Sequence, residues 1–162
     1  MPEVVCNTSP IQYLHLLDAL AILPRLYGRV LLPPAVVSEL EAGRERGVPL
    51  PNVRELAWCE IRPLPANLLY LPGDLDRGEW EVLNLAHHTP GALVIIDDGR
   101  ARDHARRNQL RHTGTVGVLL RAKASGLIGE VGPLIQSLRQ HGFRLDDAAF
   151  TTALRLAGEL RL

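Results

Sequence analysis

Two cysteines, Cys6 and Cys59, are all that the 162 residues contain, and neither stands in a Cys-x-x-Cys pair or any other metal-ligand spacing. A disulfide scaffold and a zinc ribbon are both excluded. Aromatic residues amount to 4%, too few to furnish a row of stacking platforms, so base-specific readout of a nucleic acid is not expected. Net charge is missing as well: 18 Lys and Arg face 18 Asp and Glu. No global field pulls the chain toward nucleic acid or anionic lipid, and any basic surface has to be local. No apolar run approaches the ~20 residues that span a bilayer. The opening MPEVVCNTSP lacks both the basic start and the long apolar stretch of an export signal. The expectation is a soluble, cytoplasmic protein with reduced thiols and no membrane partner.

What is present is an ordinary globular balance, 46% hydrophobic and 22% charged, and one compact domain over residues 1–162 is the expectation. Short apolar runs alternate with helical patterns. Strand-like VVC at 4–6 stops at NTSP, where Ser9, Pro10 and Gln12 resemble a capping box opening an apolar helix over 11–23. A strand at 29–32 precedes AVVSELEAG, a short helix closed at Gly43. Prolines at 49, 51, 63, 65 and 72 break the next stretch into a short helix near 52–58, a strand at 59–62 and a loop. Regularity returns with helix 76–88, strand 92–96, helix 99–109, a strand near 112–113 and helix 115–125 stopped by Gly126. Continuous apolar strands between helices predict an α/β fold, a central parallel sheet of about four or five strands covered by helices on both faces. Two further helices, 133–140 and 146–160, are expected to pack on that domain or to form a dimer contact.

In such a sheet ligands bind beyond the carboxyl ends of the strands, so the polar residues that end each strand matter most. The first strand ends at Asn7 and the strand 92–96 ends at Asp97-Asp98. Asp76 and Glu79 open the middle helix three residues apart, with Cβ atoms roughly 5–6 Å from each other, and Glu39 lies in the helix after the second strand. Each has a plain structural reading: Asp76 and Glu79 as N-cap and N3 partner, Asp97 or Asp98 as a cap, Glu39 as a solvated acid. Together they would converge on one sheet edge and repel one another unless a divalent cation stood between them, and oxygen ligands favour Mg2+ or Mn2+. The six histidines offer no His-Glu-x-x-His and read as surface or packing residues.

The pieces VVCNTSP, LLPPAVVSEL, LDRGEWEVLNLA, VIIDDGRARDHA and TGTVGVLLRAKASGLI, in this order and spacing, resemble the PIN-domain family, in particular its compact prokaryotic group, from Val4 to about Gly158. That resemblance implies a parallel sheet flanked by helices and an acidic cluster that binds Mg2+ or Mn2+ to hydrolyse RNA. Carried over position by position, it implies Glu39, Asp76, Asp97 and Asp98 as catalytic acids, and Asn7 and Glu79 with those four as the metal set; spacing alone does not decide between Asp97 and Asp98. It implies hydroxyls at Thr8 or Ser9 and at Thr115 near the substrate. The departure is Asn7, which stands where most PIN nucleases carry their first aspartate. Its amide oxygen can coordinate a hard cation but carries no charge and cannot act as a base.

Phosphate contact would fall to Arg100, Arg102, Arg106 and Arg107, with Arg111 beyond, concentrated after the acids; a merely solvated face is the plain alternative. The leading expectation is a metal-dependent ribonuclease, the toxin of a toxin–antitoxin pair, dimeric as small PIN proteins often are, with RNA and an antitoxin protein as partners. The rival is a degenerate PIN module that binds RNA or a protein without cutting, which Asn7 keeps open. A phospho-acceptor receiver is discounted, because it needs its acidic pair after the first strand, where this chain has Cys6-Asn7.

Overall fold

The protein is described here by a computed structural model covering residues 2–160; positions 1, 161 and 162 lie outside the described residues. Five short strands, β1 (Val4–Cys6), β2 (Val30–Leu32), β3 (Cys59–Ile61), β4 (Leu93–Ile95) and β5 (Arg111–Thr113), form one sheet in the order β3-β2-β1-β4-β5. Every pairing is parallel, with Val4 opposite both Val30 and Leu93. All residues of β1 and β2 are buried, as are Val94 to Ile96. Burial on both faces is why these strands read as unbroken apolar runs rather than alternating ones.

Helices α1 (Thr8–Leu16), α2 (Ile22–Tyr27), α3 (Pro34–Glu45), α4 (Arg77–His87), α5 (Gly99–Arg107), α6 (Thr115–Ala124), α7 (Gly132–Gln140) and α8 (Asp147–Leu156) flank the sheet. α4 lies across β1 and β4 and meets α3 and α5, while α6 packs against α1, α2 and α8. A side chain ties two of these helices together: Glu81 of α4, itself buried, accepts from Ala35 N–H in the first turn of α3 at 2.9 Å and pairs with Arg77 at 2.7 Å. The C-terminal helices contribute Ile135, Leu138 and Ala153 to the core. Glu159 clasps them to α6, accepting from Val131 N–H, Gly132 N–H and Lys123 Nζ at 2.8, 2.9 and 2.7 Å.

Several boundaries differ from the sequence reading. The helix expected over 11–23 is two: it starts at Thr8, with Asn7 as N-cap, and breaks at Asp18, whose φ of 55° is left-handed. The Ser9–Gln12 capping box is absent because Ser9 already lies inside α1. Gly43 does not end α3. It is buried mid-helix, and a Cβ there would stand 2.5 Å from Leu50 Cδ1, so the glycine serves packing rather than termination. The helix near 52–58 shrinks to a single 3-10 turn, Val53–Glu55, and the last helix ends at Leu156 rather than 160. Near it, Gly158 has a φ of 72°, the conformation that ends helices.

Candidate metal centre at the sheet's switch point

The strand order reverses between β1 and β4, since the chain leaves one for β2 and the other for β5. Their carboxyl ends therefore open the crevice where doubly wound sheets place ligands. The residues just beyond are Asn7 and Asp97. Asn7 is held by its own N–H, which donates to Ile95 O at 3.0 Å, and its extended backbone starts α1 without help from its side chain. That side chain is buried, and Oδ1 has no hydrogen-bond partner among the described residues. An unpaired buried amide oxygen is costly, by roughly 1–3 kcal/mol, unless something outside the chain satisfies it.

Asn7 opens on a cavity of ≈ 350 Å3 that is also lined by Thr8, Ser9, Glu39, Asp76, Glu79, Asp97 and Asp98. All the acids expected at the site thus face one space. Glu39 reaches it from α3 and accepts from Thr8 Oγ1 at 2.5 Å. A Cβ on Gly78 would lie 2.5 Å from Glu39 Oε1, so the Glu39 carboxylate sits in the space that this glycine leaves open. Burial raises the Glu39 carboxyl above its ordinary range, and the charges of Asp76 and Glu81 add to that.

At the start of α4 the plain reading of Asp76 and Glu79 holds: Asp76 Oδ1 accepts from Glu79 N–H at 2.8 Å and Glu79 Oε2 accepts from Asp76 N–H at 3.0 Å, a complete capping box. Each carboxylate still keeps one oxygen outside that exchange. Glu79 is buried deeply enough to be pushed up to about 7, with Asp76, Asp98 and Glu39 adding repulsion.

Asp97 and Asp98 divide their work. Asp98, exposed, caps α5 through Ala101 N–H at 3.0 Å. Asp97 turns inward to Thr115, which donates its N–H to Oδ1 and its hydroxyl to Oδ2, both at 2.7 Å. Burial raises Asp97, opposed by those two bonds and by Arg102. Gly114 makes room, because a Cβ there would stand 2.7 Å from Asp97 Oδ1. Thr115 is fully buried, so it positions Asp97 and has no surface to offer a nucleic acid.

Among the described residues, no group of three or more His, Cys, Asp and Glu side chains is arranged to hold a metal ion by itself. The donors nonetheless fit a hard cation: all are oxygens, one is an orphaned amide, and three carboxyls are pushed above their ordinary range by burial, a shift that a neighbouring positive charge would oppose. Mg2+ characteristically keeps several waters and takes only one or two carboxylates, so it needs no closed protein cage.

The arginines scatter. Arg100 faces Asp74 at 3.9 Å, Arg106 pairs with Asp103 at 2.7 Å, and Arg107 is exposed; none of the three lines the cavity. Arg102 does not line it either but stands in the adjoining cleft. His104 is a packing residue that holds Asp74 at 3.2 Å. The lining that sequence reasoning missed is Tyr13, Gly142, Phe143 and Arg144. Tyr13 and Phe143 meet edge to face at 5.0 Å. No local pattern marks Arg144, a single cation in the α7–α8 connection.

Three comparisons bear on this geometry. No curated protein matches the chain. Among solved structures it is similar to a PilT N-terminus domain protein from the hyperthermophilic archaeon Sulfolobus solfataricus P2, with 18% identity, a TM-score of 0.55, and coverage of 79% of this chain and 96% of that one. Identity that low speaks for the fold alone. The sequence pattern of one family, DUF3368, described as a PIN domain, matches residues 3–159. With that pattern running almost from end to end over a five-stranded parallel sheet, the chain belongs to the PIN-domain family, in which metal-dependent nucleases are typical.

Proposed function

We propose that this PIN domain is a divalent-metal-dependent endoribonuclease, hydrolysing phosphodiester bonds of single-stranded or structured RNA. The observation that carries the reading is Asn7 Oδ1, buried without a partner among the described residues in a cavity that five carboxylates also line. Mg2+ or Mn2+ would be held there by Asn7 and Asp97, with Glu39, Asp76, Glu79 and Asp98 reaching it directly or through water. Such an ion supplies an acidified water as nucleophile and positive charge against the phosphate oxygens. The protein's own part is to fix the acids: Thr115 holds Asp97, Thr8 holds Glu39, and Asp76 and Glu79 hold each other. Ser9 supplies the hydroxyl that would meet a phosphate at the cavity wall, since Thr8 gives its one proton to Glu39. A role as the toxin of a toxin–antitoxin pair, homodimeric and cytoplasmic, belongs to the same proposal and rests on the resemblance to compact prokaryotic PIN proteins.

A second reading, a PIN module that binds RNA or a protein without cutting, is favoured by one feature: the neutral amide at Asn7 removes a charge and a possible base from the site. Cleavage of a fluorescent single-stranded RNA with Mn2+ and with EDTA separates the two. The nuclease reading predicts metal-dependent cleavage that Asp97→Asn reduces at least about a hundredfold. RNA that binds equally with or without metal and is never cut would install the second reading instead.

A further inference from the structure

A second cavity, ≈ 500 Å3, opens beside the acid crevice and shares Asp97, Phe143 and Arg144 with it. We propose that this cleft holds the nucleotide adjoining the scissile phosphate of a bound RNA strand, with Arg144 and Arg102 on its phosphate and Phe143 and the α6 wall against its base. The inference rests on the nuclease reading, since it places the strand relative to the acids.

The two ends of the cleft differ in chemistry. At the shared partition stand two guanidinium groups: Arg102, whose charge is felt by Asp97, and Arg144. Arg144 is exposed and makes no ion pair or hydrogen bond among the described residues, whereas Arg100, Arg106 and Arg139 each face an aspartate. Among the described residues neither guanidinium forms an ion pair with Asp97, whose two oxygens accept from Thr115. A planar guanidinium free of carboxylate partners, at the lip of a strongly acidic crevice, is suited to a phosphodiester. It would steer the phosphate past the acids that otherwise repel it.

Away from the partition the walls turn apolar, with Val116 and Leu120 from α6, Leu145, and Leu156, which is 71% exposed. Gly114 keeps the floor open: a Cβ there would meet Asp97 Oδ1 at 2.7 Å and Arg102 Nη1 at 3.4 Å. A charged end joined to an apolar end, in a space within the range of small-molecule pockets, matches one phosphorylated nucleoside. RNA single strands are bound in this way, by backbone charge and by stacking of splayed bases. The continuity of this cleft with the acid crevice favours a strand running through both over an unrelated ligand.

The test is a backbone-amide NMR titration of the full chain in EDTA with 5′-AMP, ribose 5-phosphate, inorganic phosphate and an RNA hexamer, alongside Mn2+ calorimetry on the same variants in EDTA-free buffer. The inference predicts shifts at Gly114, Leu120 and Leu145 with AMP and with the hexamer. Arg144→Gln, an exposed position that the fold does not need, should weaken the hexamer about tenfold without reducing Mn2+ affinity. Phe143→Leu should weaken AMP and leave ribose 5-phosphate unchanged. Shifts elsewhere, or hexamer binding indifferent to Arg144→Gln, would overturn the subsite while Mn2+ binding left the nuclease reading standing. AMP bound without the hexamer would make it a free-nucleotide site, and cleft shifts that follow protein concentration alone would assign it to a second copy of the chain; either overturns the inference. Absence of Mn2+ binding in the wild type would instead remove the nuclease reading and this inference with it.

Discussion

Asn7 illustrates how one residue type sets the character of a site. Its amide oxygen carries no charge and is buried where no donor among the described residues reaches it. Replacing it by aspartate adds a charged oxygen at the same place, so Asn7→Asp is expected to tighten Mn2+ by about an order of magnitude in calorimetry; an unchanged affinity would take Asn7 out of the ligand set. Glu79 carries a second prediction. Its carboxyl sits at about 7 in the fold against an ordinary 4.5, so the folded state keeps its proton after the unfolded chain has lost it. Stability without metal should therefore fall as pH rises from about 4.5 to about 7 and then level off, with Glu39 and Asp97 acting in the same direction. Thermal unfolding in EDTA measures this, and Glu79→Gln should flatten the fall. A melting temperature that climbs through the window would contradict the assignment. At this scale the acids that line the cavity are legible in the sequence as Asp97 and Asp98 at a strand end, Asp76 and Glu79 at a helix start and Glu39 in the helix after the second strand, yet Asp97 and Asp98 stay equal there. Only the burial of Thr115 separates the residue turned inward from the one that caps α5.

Among elements, the contact of α3 with the start of α4 decides whether Glu39 belongs to the site. The missing Cβ of Gly78 is the space that Glu39 Oε1 occupies. Gly78→Ala should accordingly move the Glu39 carboxylate, the flexible partner, rather than break the fold. Helix propensity alone would favour alanine by about 1 kcal/mol, so thermal stability is expected to hold or rise while Mn2+ affinity drops. Loss of both together would show that the glycine serves the fold and not the site. Strands were legible to within about a residue because apolar runs end at sharp polar or proline signals. The helices were less so. The break at Asp18 is invisible in the pattern, because apolar residues continue at helical spacing on both sides of it, and Gly43 looks like a stop until Leu50 is seen to pack on it.

For the whole molecule, the crevice is a consequence of sheet order. β3-β2-β1-β4-β5 sets Asn7 and Asp97, 90 residues apart in the chain, on neighbouring strands at the reversal point. Strands of three residues do not announce their neighbours, so the sequence reading reaches a parallel sheet but not the order of its strands. Arg144 and Phe143 were out of reach for the same reason, since their place at the cavity follows from how the C-terminal helices fold back on α6. A chain of zero net charge has here gathered acids at one sheet edge and left arginine beside them, a local polarity that composition conceals. The central claim is that this edge is a cation site, and the most direct measurement is an anomalous difference map from a crystal grown with Mn2+. The account predicts a single peak in the crevice about 2.0–2.6 Å from Asn7 Oδ1 and an Asp97 oxygen. A map with no peak there, or with manganese bound only elsewhere on the surface, would contradict it.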